Sequence, residues 1–415
     1  MTTESIHSPE VSSGTVLSPV AVPREPYVKL LLRFLRFGAL AWGGPVAQIG
    51  MIRQELVDEE HWVSSERFNR VLAVYQVLPG PEAHELCVYF GMLSRGRLGG
   101  LLAGLGFMLP GLVLMLLLSW FYVTYGIRSP LFTAAFYGMQ AAVGALIFRA
   151  VHRIGGHTLH DRWLWGIAAL AFVAQFAGVH FAISLAVSGV IYLLAKRGQT
   201  AVAGVVWAAA CIGLIVIVLT ALSSGGTITF IAATTSTPVA PSPFDLFGSG
   251  LRSGLLTFGG AYTVIPYLQN DAVIVGGWMS NAQFLDGLAL SGILPAPLVI
   301  FGTFVGYLGG GMTGALALTA GIFLPAFAFT LVGHNLMERL IGYSALHSFL
   351  DGVTAGVIGL ISATALVLLR SAIVDLPAFI IFAAGLLILF RWKSKMNVPI
   401  VVLCAALAGI LLRGW

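Results

Sequence analysis

The chain has 415 residues, of which 58% are hydrophobic and only 9% charged, whereas a soluble domain carries about a quarter charged residues. That balance excludes a soluble enzyme or regulatory domain and fits an all-α polytopic membrane protein, with several apolar runs near the ~20 residues that span a bilayer. The net charge of +5 gives no reason to expect a nucleic-acid partner, because the basic residues scatter over loop positions that membrane topology explains.

The polar segment Met1–Pro26 has no apolar core and reads as a disordered cytoplasmic tail, not a signal peptide. Tyr27–Glu60 turns apolar at Leu30, breaks at Gly43-Gly44-Pro45 and ends polar. The next segment starts near Ser64 or Ser65, either of which can cap a helix. It breaks at Leu78-Pro79-Gly80-Pro81 and resumes as Glu82-Ala83-His84-Glu85. Two prolines so close cannot both continue a helix. Full spans follow over Leu98–Tyr125, Leu131–Val151, Trp163–Ala177, Phe181–Ala195 and Ala201–Leu222. A Ser/Thr/Gly/Pro-rich loop without charge, Ser223–Pro243, then separates two halves. Spans near Leu346–Leu369, Leu376–Phe390 and Val398–Leu412 end the chain. Cys87, Cys211 and Cys404 have no CxxC spacing and read as packing residues, so neither a disulfide framework nor a metal site is expected.

The second half repeats the first. Leu35–Gly44 matches Leu251–Gly260 at an offset of 216, and the same offset pairs Trp62 with Trp278, Phe68 with Phe284, Pro79 with Pro295 and Pro81 with Pro297. Gly106–Pro110 pairs with Gly321–Pro325 after the loss of one residue. The expected layout is a tail over 1–26, a first repeat over 27–197, a linking helix and external loop over 198–243, and a second repeat over 244–415. With the broken segments re-entrant, each half has four full spans, and the single linking span inverts the second half. Lys/Arg positions favour this arrangement, with the N-terminus in the cytoplasm: Arg24, Arg53, Arg67, Arg70 and Arg95 fall inside and few basic residues outside.

Broken backbone at membrane depth survives where it is buried in protein or lines a cavity. Helices restarting after Pro45 and Pro81 present free N–H groups and a positive dipole end, which bind anions. One such break could be a packing kink; four in symmetric pairs point to a site. Its candidate residues are Gly43, Gly44, Pro45, Pro79, Gly80, Pro81, Gly259, Gly260, Pro295, Ala296 and Pro297, with Gln48 and Tyr262 as hydrogen-bond donors. Arg36 and Arg252 share one repeat position in apolar surroundings, where an arginine either marks an anion pathway or snorkels. Glu82 and His84 are candidate coupling groups, since the second half has Leu298 opposite Glu82. A more distant alternative is an intramembrane enzyme using Glu82, His84 and Glu85 as acid–base groups. His152, His157 and His160 read as a solvated loop rather than a metal site. Asp286 and Asp351 are either helix caps or intramembrane polar partners.

Three motifs resemble the chromate ion transporter family in its long two-domain form. Trp42-Gly43-Gly44-Pro45 is similar to the family's FGGP, Leu78-Pro79-Gly80-Pro81-Glu82-Ala83 to its LPGPEA, and Thr257-Phe258-Gly259-Gly260-Ala261-Tyr262 to its TFGGAY. The resemblance runs from about Leu30 to Trp415. It implies transport of chromate, a tetrahedral dianion like sulfate, usually outward and conferring chromate resistance. Trp42 for Phe, Gln48 where many members have His, and Ala296 where many have Gly depart from the pattern. The expectation is therefore an inverted-repeat secondary transporter of the inner (plasma) membrane, for chromate or, alternatively, sulfate or another oxyanion. Its expected partners are that oxyanion and membrane lipid, with a homodimer as an open option. No cofactor is expected, since no GxxxxGK[ST] motif occurs.

Overall fold

The computed structural model describes residues 22–126, 129–223, 240–258, 260–333 and 344–414. Residues 1–21, Gly259 and residues 224–239 lie outside, so the expected tail is described only in its last five residues, 22–26. Among the described residues all regular structure is helical. Five helices are long and apolar enough to cross a membrane: Glu82–Thr124, Pro130–Thr158, Thr200–Thr220, Leu298–Leu331 and Ala345–Ala372.

The first repeat opens with α1 (Tyr27–Ala39). The chain breaks, restarts as α2 (Gly44–Arg53) and ends in a π-helical turn, Gln54–Glu59. This segment returns to the end from which it set out, because Arg33 bonds Glu25 before it and both Glu55 (2.9 Å) and Glu60 (2.6 Å) after it. Next comes α3 (Ser65–Val77), capped by Ser64, whose Oγ accepts from Arg67 N at 3.2 Å. After the second break, α4 (Glu82–Thr124) has 43 residues. A straight helix of that length would reach ~65 Å, about twice a bilayer core. It reverses instead at Arg95-Gly96, where Gly96 takes φ +65°, a region open to glycine without steric cost. Two antiparallel arms result, 82–94 and 97–124, with Gly91 packed directly on Gly99 and Ala103.

The second repeat copies this plan. It comprises α9 (Pro243–Leu255), a 3-10 turn at Ala261–Thr263 leading into α10 (Val264–Gln269), a π-turn at Asn270–Val275, α11 (Asn281–Gly292) and, after the 3-10 turn Leu298–Ile300, α12 (Phe301–Leu331). α12 reverses at Gly310-Gly311, offset by 215 from Arg95-Gly96, and Gly306 packs on Gly314 as Gly91 does on Gly99. Both π-turns recur at an offset of 216.

The long arms pack on each other antiparallel. Gly100 meets Leu331, and Gly104 meets Phe327. The turn that begins one arm therefore lies against the end of the other, which is the geometry of inverted repeats.

The remaining helices interlock the halves. In the first repeat these are α5 (Pro130–Thr158), α6 (Arg162–Phe176) and α7 (Phe181–Lys196), and in the second α13 (Ser344–Ala372), α14 (Leu376–Arg391) and α15 (Asn397–Arg413). α5 packs on α14 and α15, and α13 packs on α6 and α7. Asp161 and Asp375 cap α6 and α14, accepting from Leu164 N (3.0 Å) and Ala378 N (2.9 Å). The linking helix α8 (Thr200–Ser223) leans on α6 and α7 and leaves most of its apolar surface outward.

Symmetry fails at α3 and α11. Arg70 on α3 is exposed, whereas Asp286, at the equivalent place on α11, is buried and accepts from Tyr122 (2.7 Å) and Gln140 (2.8 Å) of the first repeat. Asp286 is thus a buried polar partner between the repeats, not a cap.

Candidate site where the helix breaks meet

The first break is held open by Gly43 and Gly44, at φ +90° and +77°, with Pro45 in the first turn of α2. This backbone suits glycine, and the restarting helix leaves its first N–H groups without intrahelical partners. Gly43 also packs closely on Lys395, which a side chain at 43 would meet at 3.1 Å. In the second repeat, Gly260 (φ +119°) opens the turn that carries Tyr262. Gly259 lies outside the described residues.

These breaks line one cavity of about 290 Å³. Gly43, Gly44 and Pro45 form one wall. Tyr262, Ala296 and Leu298 from the second repeat form another. Arg149 and Arg153 of α5 and Lys393 and Lys395 after α14 supply positive charge. Arg149 and Arg153 stand one turn apart on one helix face, and both lie within Coulombic reach of Tyr262. The cavity thus joins free N–H groups and a phenol to four cations.

The break at Pro79-Gly80-Pro81 lies beside the cavity and does not line it. Gly80 N–H donates to Thr257 O of the second repeat at 3.0 Å, so that donor is already used. Pro295 and Pro297 are buried next to Ala296. Glu82 follows, half-buried and within Coulombic reach of Arg153. His84 is fully buried, its ring between Phe323 and Phe327 at centroid distances of 5.0 and 4.7 Å.

Other sequence candidates sit elsewhere. Arg36 pairs with Glu55, and Arg252 with Asp271, away from the cavity. Gln48 is buried and donates its amide to Ala41 O at 2.9 Å, so it braces the first break. Arg149, Arg153, Lys393 and Lys395 were not among the sequence candidates. Their signal is weak but present: two arginines four apart near the end of an apolar span, and a basic stretch between two spans.

Known proteins resemble this chain over both repeats. The sequence profile described as "Chromate transporter" matches residues 28–195 and 244–410, once in each repeat. The chain belongs to the chromate transporter family. A chromate transport protein of Pseudomonas aeruginosa is 52% identical over 409 residues, covering 96% of this chain and 95% of the relative. A probable chromate transport protein of Synechococcus elongatus is 32% identical, covering 91% and 93%. A chromate transport protein of Cupriavidus metallidurans is 29% identical, covering 98% of both chains. No solved structure matches. The two-repeat layout read from the sequence is therefore the family's own.

Proposed function

We propose that this chain is a secondary transporter that carries chromate through the cavity between its two repeats. One observation carries the reading: breaks from both repeats meet in a cavity bearing Arg149 and Arg153. A tetrahedral dianion fits that chemistry, since guanidinium groups bind oxyanions through paired charge-assisted hydrogen bonds. Free N–H groups of α2 and the Tyr262 hydroxyl supply further donors, and Lys393 and Lys395 attract the anion at the mouth. Gly43, Gly44, Pro45 and Ala296 shape the wall, and Gly260 opens the turn that carries Tyr262. Pro79, Gly80, Pro81, Pro295 and Pro297 hold the breaks beside it. Glu82 and His84 are the coupling candidates, of which Glu82 is the one near a cavity cation. Arg36 and Arg252 act in this reading as anchors of the broken segments, and Gln48 as a brace.

Sidedness follows from charge. The end of the first repeat that carries Arg24, Lys29, Arg33, Arg53, Arg67, Arg70 and Arg95 is the basic end, which the positive-inside rule places in the cytoplasm. The helical hairpins that return to this end are then re-entrant, and the membrane is the cell's inner membrane. Arg153, Lys393 and Lys395 lie toward the same end. The cavity thus faces the cytoplasm, the side from which outward transport and chromate resistance would start.

The test is uptake of labelled chromate into inverted vesicles, with sulfate, phosphate and molybdate as competitors. Gradient-driven uptake above that of empty vesicles is expected. None under any imposed gradient sinks the chromate reading. Labelled sulfate entering while chromate does not would instead support the sulfate reading, for which the same charge and shape are suited.

A further inference from the structure

The carboxyl groups beside the cavity have a use that anion binding alone does not explain. Glu85 is 0% exposed, and among the described residues neither of its carboxyl oxygens has a hydrogen-bond partner. An ionised carboxylate in such a place costs several kcal/mol without a counter-ion. A protonated Glu85 would meet this burial without that cost. It packs under the second break: a Cβ on Gly80 would lie 2.9 Å from Glu85 Oε1 and 3.2 Å from Ala326 of α12. Glu82 stands one turn earlier on the same face and lies within Coulombic range of both Glu85 and Arg153.

The charged surroundings are sparse. α12 carries no Asp, Glu, Lys, Arg or His between Phe301 and Leu331. On α3, Arg67 donates to Tyr89 OH at 3.1 Å, and Glu66 and Arg70 pair with each other at 3.4 Å. Lys29, Arg33 and Arg36 of α1 are held by Glu25, Glu55 and Glu60, and Arg53 of α2 faces Asp58. Asp286 of α11 is bonded to Tyr122 at the far end of α4. No acid replaces the pair in the second repeat, where Leu298 and Phe301 occupy the equivalent places.

We propose that the Glu82/Glu85 pair takes up a proton when an oxyanion occupies the cavity, so that proton and anion travel together. The inference rests on the oxyanion reading of the cavity. With the cavity empty, Glu82 lies within Coulombic range of the Arg153 cation. A bound dianion takes that cation over. An anion beside a buried carboxylate favours the protonated form, and two neighbouring acids titrate as a unit. A proton taken from the bulk solution then bonds to a Glu82 carboxylate oxygen, while Glu85 keeps its own. Linkage is reciprocal, so protonation also tightens anion binding. A carboxylate that competed with a cationic substrate would give exchange; beside an anionic substrate it gives co-transport.

The test is proton uptake by full-length protein in detergent, read with a pH dye in weak buffer as chromate or sulfate is added. Wild type should take up protons on binding. The double variant Glu82→Gln/Glu85→Gln, with the same anion at the same starting pH, should take up at least about tenfold fewer per anion bound. Equal uptake in both proteins overturns the inference, as does proton release by wild type. Wild type alone suffices if the variant does not fold, since an anion bound without proton uptake overturns it equally. Wild type that binds neither anion overturns the oxyanion reading and this inference with it.

Discussion

Arg252 Nη2 lies 2.9 Å from Asp271 Oδ2, and Ser249 Oγ donates to the same oxygen at 2.7 Å. The pair ties α9 to the π-turn that ends the second repeat's broken segment. At an offset of 216, Arg36 pairs with Glu55 in the first repeat. Two duplicated arginines thus anchor two duplicated hairpins at opposite ends of the molecule. Asp271 is nearly buried while Arg252 is more than half exposed, so the two deletions are unequal. Arg252→Ala strands a buried carboxylate and should cost about 1–2 kcal/mol. Asp271→Ala leaves a cation free to reach water and should cost less. Thermal unfolding in detergent gives the ordering, and equal losses would rule out the anchor.

Removing Arg153 should weaken the anion site. Arg153→Ala is expected to lower chromate affinity about tenfold or more, near 1.4 kcal/mol. Arg153→Lys should restore part of it as a point charge without the bidentate fork. Equilibrium binding of labelled chromate measures both. Unchanged affinity in Arg153→Ala would move the site elsewhere.

The first repeat's long arm meets the Pro295-Ala296-Pro297 break at Gly111. A Cβ on Gly111 would lie 2.5 Å from Ala296 Cβ, with the next atoms at 3.6 Å. Gly111→Ala should therefore overpack one contact and cost about 1–3 kcal/mol. Ala296→Gly removes the opposing methyl, so the double variant should recover most of that loss. Additive losses in a double-mutant cycle of unfolding energies would contradict the contact.

Acid should loosen the basic end. Burial by itself would raise the Glu25 carboxyl; hydrogen bonds and charge from Arg33 and Lys29 outweigh it and hold Glu25 below its ordinary value of 4.5. A depressed acid stabilises the fold above its unfolded value, and this contribution disappears as pH falls through the lower folded value. Melting temperature of wild type should exceed that of Glu25→Gln near neutrality, and the two curves should converge below about pH 4.5. A gap that widens in acid would reverse the assignment.

The duplication, the breaks and the family were legible in the chain itself. Glycine and proline placement dictates where a helix cannot continue, and a copied register of such residues survives translation into any fold. Ser64 as a cap and the inversion implied by an odd linking helix were likewise local or countable. Local sequence could not decide which polar groups face the path. Arg36, Arg252 and Arg153 look alike along the chain. Only packing separates them, giving Arg36 and Arg252 carboxylates of their own and placing Arg153 against a cavity built by the other repeat. The same holds for Glu85, which packs under Gly80 beside Ala326 of α12, more than 200 residues away in sequence. Sequence determined the backbone's permitted shapes. Tertiary structure decided which charges were neutralised at once and which were left for a ligand, because desolvation and pairing are properties of neighbours brought together by the fold.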